Sequence, residues 1–183
     1  MSSLLLAFHR LGSLPYFYKL AGKLLPWVGG LSIVLFGFGL YIGLALAPTD
    51  YEQGDSYRII YVHVPAAWMS MLVYVVLAIA GAIALIWRLK LAEVVARASA
   101  PIGASYTFLA LATGSIWCKH MGGTWWIWDG RLTSMLLQFF LLVGVISLRS
   151  ALEDSDSAAK ACAVLAIVGC IKVFVITYSV DCC

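Results

Sequence analysis

Residues 62–87 read Val-His-Val-Pro-Ala-Ala-Trp-Met-Ser-Met-Leu-Val-Tyr-Val-Val-Leu-Ala-Ile-Ala-Gly-Ala-Ile-Ala-Leu-Ile-Trp, without an Asp, Glu, Lys or Arg among them. Crossing the ~30 Å hydrocarbon core of a bilayer takes about 20 helical residues at ~1.5 Å each, so this stretch is long enough to span. Four more apolar stretches accompany it, at 24–47, 98–118, 132–148 and 158–180, and the only charge at depth in any of them is Lys172. The whole chain of 183 residues follows suit: 63% is hydrophobic, 11% is charged, and the mean hydropathy is +0.96. These values exclude a soluble enzyme and a disordered chain, and no basic cluster suggests nucleic acid. The expected fold is all-α: a single transmembrane domain over 1–183, a bundle of five helices. The first span ends in Ala45-Leu46-Ala47, which looks like a signal-peptidase site, but its apolar stretch is too long for a cleaved signal. It also carries Gly39-x-x-x-Gly43, a small-residue pattern that lets helices approach closely.

Positive charge sets the expected orientation, because Lys and Arg are retained on the cytoplasmic side. Arg10, Lys19, Lys23, Arg88, Lys90, Arg97, Arg149 and Lys160 fall on one side, against Arg58, Lys119 and Arg131 on the other. The N-terminus and the loops at 88–97 and 149–157 are therefore expected in the cytoplasm, with loops 48–61 and 119–131 facing outward. The C-terminus, Val180-Asp181-Cys182-Cys183, falls outside and reads as the end of a fragment. Five cysteines without a secretory signal do not describe a disulfide framework, and the absence of C-x-x-C-H means that no haem is attached covalently.

Two outward places carry candidate chemistry. In Tyr61-Val62-His63-Val64-Pro65-Ala66-Ala67-Trp68, Pro65 suits a helix's first turn, which puts His63 at a helix N-terminus. The dipole there favours neutral imidazole, the metal-binding form; an interfacial histidine bonded to the preceding loop is an equal alternative. The second place is 117–131, which holds four of the seven tryptophans. An aromatic belt accounts for one or two of them, but hardly for Trp125-Trp126-x-Trp128 framed by glycines and followed by Asp129 and Arg131. Clustered aromatics can stack on a large planar apolar ligand while an arginine forks onto a carboxylate at its edge, a description that haem meets. Asp129 is better read as the N-cap of the fourth span.

Three segments bear a resemblance to a known family. They are Ala47-Pro48-x-Asp50-Tyr51-x-Gln53-Gly54-x-Ser56-Tyr57-Arg58-Ile59-Ile60-Tyr61-x-His63-Val64-Pro65-Ala66-Ala67, then Ala100-Pro101-Ile102-Gly103-Ala104, then Gly123-Thr124-Trp125-Trp126-x-Trp128-Asp129-x-Arg131-Leu132-Thr133-Ser134. Together they resemble the CcmC (haem exporter protein C) family of the cytochrome c maturation system. The Trp-Trp-x-Trp-Asp signature belongs to the wider haem-handling superfamily, and the His63 segment narrows it to this member.

The resemblance implies a non-enzymatic protein of the bacterial inner membrane, or its mitochondrial equivalent. Such a protein holds haem b noncovalently at the outer face and passes it to the haem chaperone CcmE, beside the transporter subunits CcmA and CcmB and the small protein CcmD. His63 matches the first of two axial ligands of the haem iron. Trp125, Trp126 and Trp128 are the stacking platform, Arg131 or Arg58 the propionate partners, and Asp129 lies within the motif. The second axial histidine and a sixth span are expected beyond Cys183. The chain departs from the family's pattern at Cys118, His120, Gly122 and Lys172. The alternative reading is a structural partner subunit of the haem-export complex with a degraded haem site. His120 is expected to be a solvated loop histidine, Cys162 and Cys170 small buried hydrophobes, and Lys172 a residue that snorkels outward.

Overall fold

A computed structural model describes residues 13–181, with side chains at 13–154 and 156–170. The all-α expectation holds. Helix α1 covers Leu14–Tyr41 and runs on through a wide π turn at Ile42–Leu46. A tight 3-10 turn, Asp55–Ile59, leads into α2, Ile60–Trp87. Helices α3, Lys90–Gly122, α4, Gly130–Ala151, and α5, Ser155–Asp181, complete the chain. Counted with their terminal turns, four helices among the described residues are long and apolar enough to cross a membrane: Leu14–Leu46, Asp55–Trp87, Lys90–Gly122 and Gly130–Ala151.

Every helix outruns the apolar stretch that announced it, since Lys, Arg and Glu are good helix formers that hydropathy reads as breaks. The expected loop at 88–97 is thus only Arg88-Leu89, and α3 is helical from Lys90. So short a reversal needs a left-handed residue, and Arg88 supplies it at φ 52° without glycine's freedom. The expected loop at 119–131 shrinks likewise: α3 ends where Gly123, φ +73°, bonds back to the Lys119 carbonyl at 3.2 Å. At the other end Asp154 caps α5 by accepting from the N–H groups of Asp156 and Ser157. The Ser157 hydroxyl beside it, with those N–H groups, holds the Asp154 carboxyl below its usual range. The side-chain expectation for Lys172, and Arg10, Cys182 and Cys183, lie outside what is described.

Pro65 is not in a first turn. Backbone at Asp55–Ile59 is already wound, so the helix starts earlier and Pro65 lies inside it. It withholds the N–H that would reach the carbonyl of Tyr61.

Helices α2 to α5 form an up-down-up-down bundle in which α2 and α4 each pack against α3 and α5. Helix α1 stands apart, with no buried residue in Leu14–Tyr41. It meets the bundle at Gly43, where an added Cβ would fall 2.8 Å from the Tyr61 side chain, whereas Gly39 has nothing within 4 Å. Only one glycine of the close-approach pattern is used.

The bundle core is layered. Ala66, Ala110, Leu111 and Met135 form one apolar cluster, and Tyr74, Leu77, Ala100, Leu142, Val145 and Ala166 form another. Between them lies a polar layer with no exposure, where Gln138 Nε2 donates to the Ser70 carbonyl at 3.0 Å and meets Thr107 Oγ1 at 3.5 Å. Thr107 in turn donates to the Gly103 carbonyl at 2.7 Å. In hydrocarbon such groups have no water to turn to, so the layer ties α2, α3 and α4 in one register.

Candidate functional site

The start of α2, the end of α3, the start of α4 and the loops 47–54 and 123–129 converge at one end of the bundle, and all the candidate residues are there. His63 is half-buried against α3. Its ring fits because residue 114 is glycine: a Cβ there would lie 3.0 Å from His63 Cε1. His63 Nδ1 is 3.0 Å from Thr113 Oγ1. The Thr113 hydroxyl has one hydrogen, and it goes to the carbonyl of Leu109 at 2.7 Å, with Ala110 at 3.2 Å. With its hydrogen on a carbonyl, Thr113 accepts from the imidazole, an assignment that puts the proton on Nδ1 and the lone pair on Nε2. That tautomer leaves Nε2 able to ligate a metal. Because winding begins at Asp55, His63 lies beyond the first turn, where the helix dipole acts weakly, and Thr113 is what orients the ring.

A second contact fixes the imidazole. The Trp117 ring meets it edge-on, with centroids 5.8 Å apart and an interplanar angle of 78°. Trp117 Nε1 donates to Gln53 Oε1 at 2.9 Å, which clamps the loop before α2 onto α3. That loop is shaped by Asp50, which accepts from Glu52 N and Gln53 N at 3.0 and 2.9 Å, and by Gly54 at φ +57°. Arg58 is engaged elsewhere: it donates to the Ala47 carbonyl at 3.0 Å and pairs with Asp55 at 3.3 Å, pinning the end of α1 to the turn before α2. Its Nε is buried without a hydrogen-bond partner.

The tryptophans divide by role. Trp126 packs against the cluster around Ala66, Ala110 and Met135, and its Nε1 is buried with no partner. Trp125 and Trp128 stand out at 60% and 78% exposure, with Lys119 Nζ 5.9 Å from the Trp125 ring. Trp126 and Trp128 meet at 73° with centroids 5.7 Å apart, so they form a corner rather than one flat surface. Asp129 is the N-cap of α4, accepting from Leu132 N at 2.7 Å, as its expected structural role requires. Arg131 is 57% exposed and sits 3.9 Å from Asp129, loosely enough to swing to another anion.

His120 is in the last turn of α3 rather than in a loop, exposed, with Nδ1 2.9 Å from the Ile116 carbonyl. Cys118, Cys162 and Cys170 are free and partly buried. Cys162 reaches the Val145 carbonyl at 3.4 Å. Among the described residues no three His, Cys, Asp or Glu side chains come together, so the site is no cage for a bare metal ion. A macrocycle that brings its own four nitrogens needs only an axial lone pair, aromatic faces and a cation at its edge. His63 Nε2, the tryptophan corner and Arg131 fit that need. Sequence reasoning missed Thr113 and Gly114 as parts of the site, and gave Trp117 and Gln53, which lay within its quoted stretches, no role of their own. The signal was present on α3, where 113, 114 and 117 share a helical face.

The chain is similar to known proteins along most of its length. Residues 7–183 match the family described as Heme exporter protein C. The chain is 47% identical over 173 residues to Heme exporter protein C of Escherichia coli K12, covering 94% of this chain and 71% of that protein. The protein of the same name from Haemophilus influenzae is 49% identical over 164 residues, 90% of this chain and 67% of the relative. A putative cytochrome c biosynthesis ccmC-like mitochondrial protein of Marchantia polymorpha is 40% identical over 152 residues, 83% of this chain and 64% of that one. The family is one of exporters rather than of enzymes. With its long apolar helices, the chain is an integral inner-membrane protein. Matched along nearly all of its length, the chain belongs to the CcmC, or Heme exporter protein C, family.

Proposed function

We propose that this protein binds haem b noncovalently at the outer end of its bundle and hands it to the haem chaperone CcmE for c-type cytochrome assembly. The observation that carries the reading is the oriented His63, its ring held by Thr113, Gly114 and Trp117 at the same end of the bundle as the tryptophan corner. Trp125 and Trp128 supply exposed aromatic faces, Trp126 anchors the corner, and Arg131 is the propionate partner. Arg58, engaged twice within the fold, is a poorer one. Haem here is cargo: the chain orients it and keeps it off water, with no covalent bond of the macrocycle made or broken.

The orientation belongs to the same proposal, with five helices crossing, the N-terminus in the cytoplasm and the tryptophan loop outside. It is supported by the short turns at 88–89 and 152–154, flanked by Arg88, Lys90, Arg149 and Lys160. Partners of the family's kind, CcmA, CcmB and CcmD, are supported by α1, whose apolar surface leaves no residue buried within this chain.

Haem transfer tests the reading. Membranes carrying haem-loaded protein are mixed with apo-CcmE, and haem on CcmE is followed by its absorbance. Transfer is expected with the unaltered chain and lost in His63→Ala; equal transfer by both would overturn it.

A further inference from the structure

At the end of the bundle opposite the tryptophan loop, α2, α3, α4 and α5 surround a cavity of about 490 Å³. Small side chains make it. Ala96, Ala158 and Ala163 line its wall, where the next layer toward the site is filled by Tyr74 and Leu142, and its depth is closed by Leu77, Ala100 and Val145. Its mouth carries Glu93, Arg97, Arg149 and Glu153. A second hollow of about 420 Å³ adjoins it at Glu93 and Ala159, and adds Arg88, Lys90, Asp156 and Lys160. Around the joint rim five basic side chains stand against three acidic ones. Glu93 is committed to Arg149 at 2.8 Å. Among the described residues Arg88, Lys90 and Arg97 form no ion pair, and Lys160 forms none within 4 Å, acting on the exposed Asp154 only from farther off.

Water can fill the charged mouth but finds no hydrogen-bond partners among alanines at the bottom. The occupant that suits both parts has a hydrocarbon chain and an acidic head, and sits where the helix ends meet the membrane surface. We propose that this cavity binds an anionic phospholipid, its phosphate among the rim arginines and lysines and an acyl chain along the alanine-lined wall. Basic pockets between transmembrane helices hold such headgroups by the same physics. No histidine, tryptophan, tyrosine or phenylalanine lines either hollow, so neither offers haem an axial imidazole or a stacking face.

The test is native mass spectrometry of the full chain released from vesicles of equal phosphatidylglycerol and phosphatidylcholine. One phosphatidylglycerol is expected to be retained in roughly five- to thirtyfold preference, at the scale of one or two basic contacts. The double variant Arg97→Gln, Lys160→Gln should bring the two lipids to parity while leaving helical content and haem uptake unchanged. Ala159→Phe, which fills the junction of the hollows, should lower retention of both. Equal retention by the unaltered chain would overturn the proposal. So would haemin displacing the phosphatidylglycerol in proportion to its own binding, which would make the cavity a place for cargo.

Discussion

Nδ1 of His63 lies 3.0 Å from the hydroxyl of Thr113, and the hydrogen of that hydroxyl is already given to the Leu109 carbonyl. A threonine that donates to Leu109 accepts from the histidine, which assigns the imidazole proton to Nδ1. Thr113→Val keeps the shape and removes the acceptor, and partners that orient a ligating histidine are typically worth 10- to 100-fold in affinity. Haem binding is expected to weaken by roughly that range in Thr113→Val and to return in Thr113→Ser, which keeps the hydroxyl. Titration with haemin, read by the Soret band, checks both. Valine and serine variants that bind alike would remove Thr113 from the account.

Gly114 makes a separate prediction. Its Cβ position is 3.0 Å from the imidazole, so Gly114→Ala pushes His63 by a few tenths of an ångström. Overpacking of this kind costs about 1–3 kcal/mol, and because the displaced group is the proposed ligand, haem binding should fall more than thermal stability does. A large loss of stability at unchanged haem affinity would contradict it.

The tryptophans should separate in a single set of variants. Trp126 is packed into the core end and Trp128 is 78% exposed. Trp126→Ala is expected to destabilise the fold by about 2 kcal/mol, below the range for a fully buried aromatic. Trp128→Ala and Trp125→Ala should leave the melting temperature in place and lower haem uptake. Detergent-solubilised thermal melts beside haemin titrations decide; destabilisation by Trp128→Ala would make it an interfacial anchor.

How much of this was legible in the sequence depends on which physical signal each feature leaves. Long apolar stretches state bilayer thickness directly, so the number of helices followed from 62–87 and its companions. Their ends did not, because Lys90, Glu93 and Arg97 read as loop by hydropathy while being good helix formers. His63 and the tryptophans stood out as rare residues in unusual clusters. Thr113 and Gly114 were silent, since neither type is rare in a membrane helix and their role exists only once α2 lies against α3. Gln138 was overlooked because only charges were sought at depth, although an amide without water also needs a partner.

Glycine packing supplies a stability prediction remote from the site. The Tyr74 hydroxyl occupies the space a Cβ on Gly169 would need, and Tyr74 has no exposure through which to retreat. Gly169→Ala should destabilise the α2–α5 pairing by about 1–3 kcal/mol, and Tyr74→Phe in the same chain should recover part of it. Additive losses in the double variant would show that the two residues do not share that space.

The most direct measurement is the absorption spectrum of the purified chain after exposure to haemin, beside His63→Ala and His120→Ala. The unaltered chain and His120→Ala are expected to give the same Soret band, and His63→Ala to lose it while remaining folded. An unchanged band in His63→Ala, or a band lost only in His120→Ala, would contradict the assignment of the iron to His63.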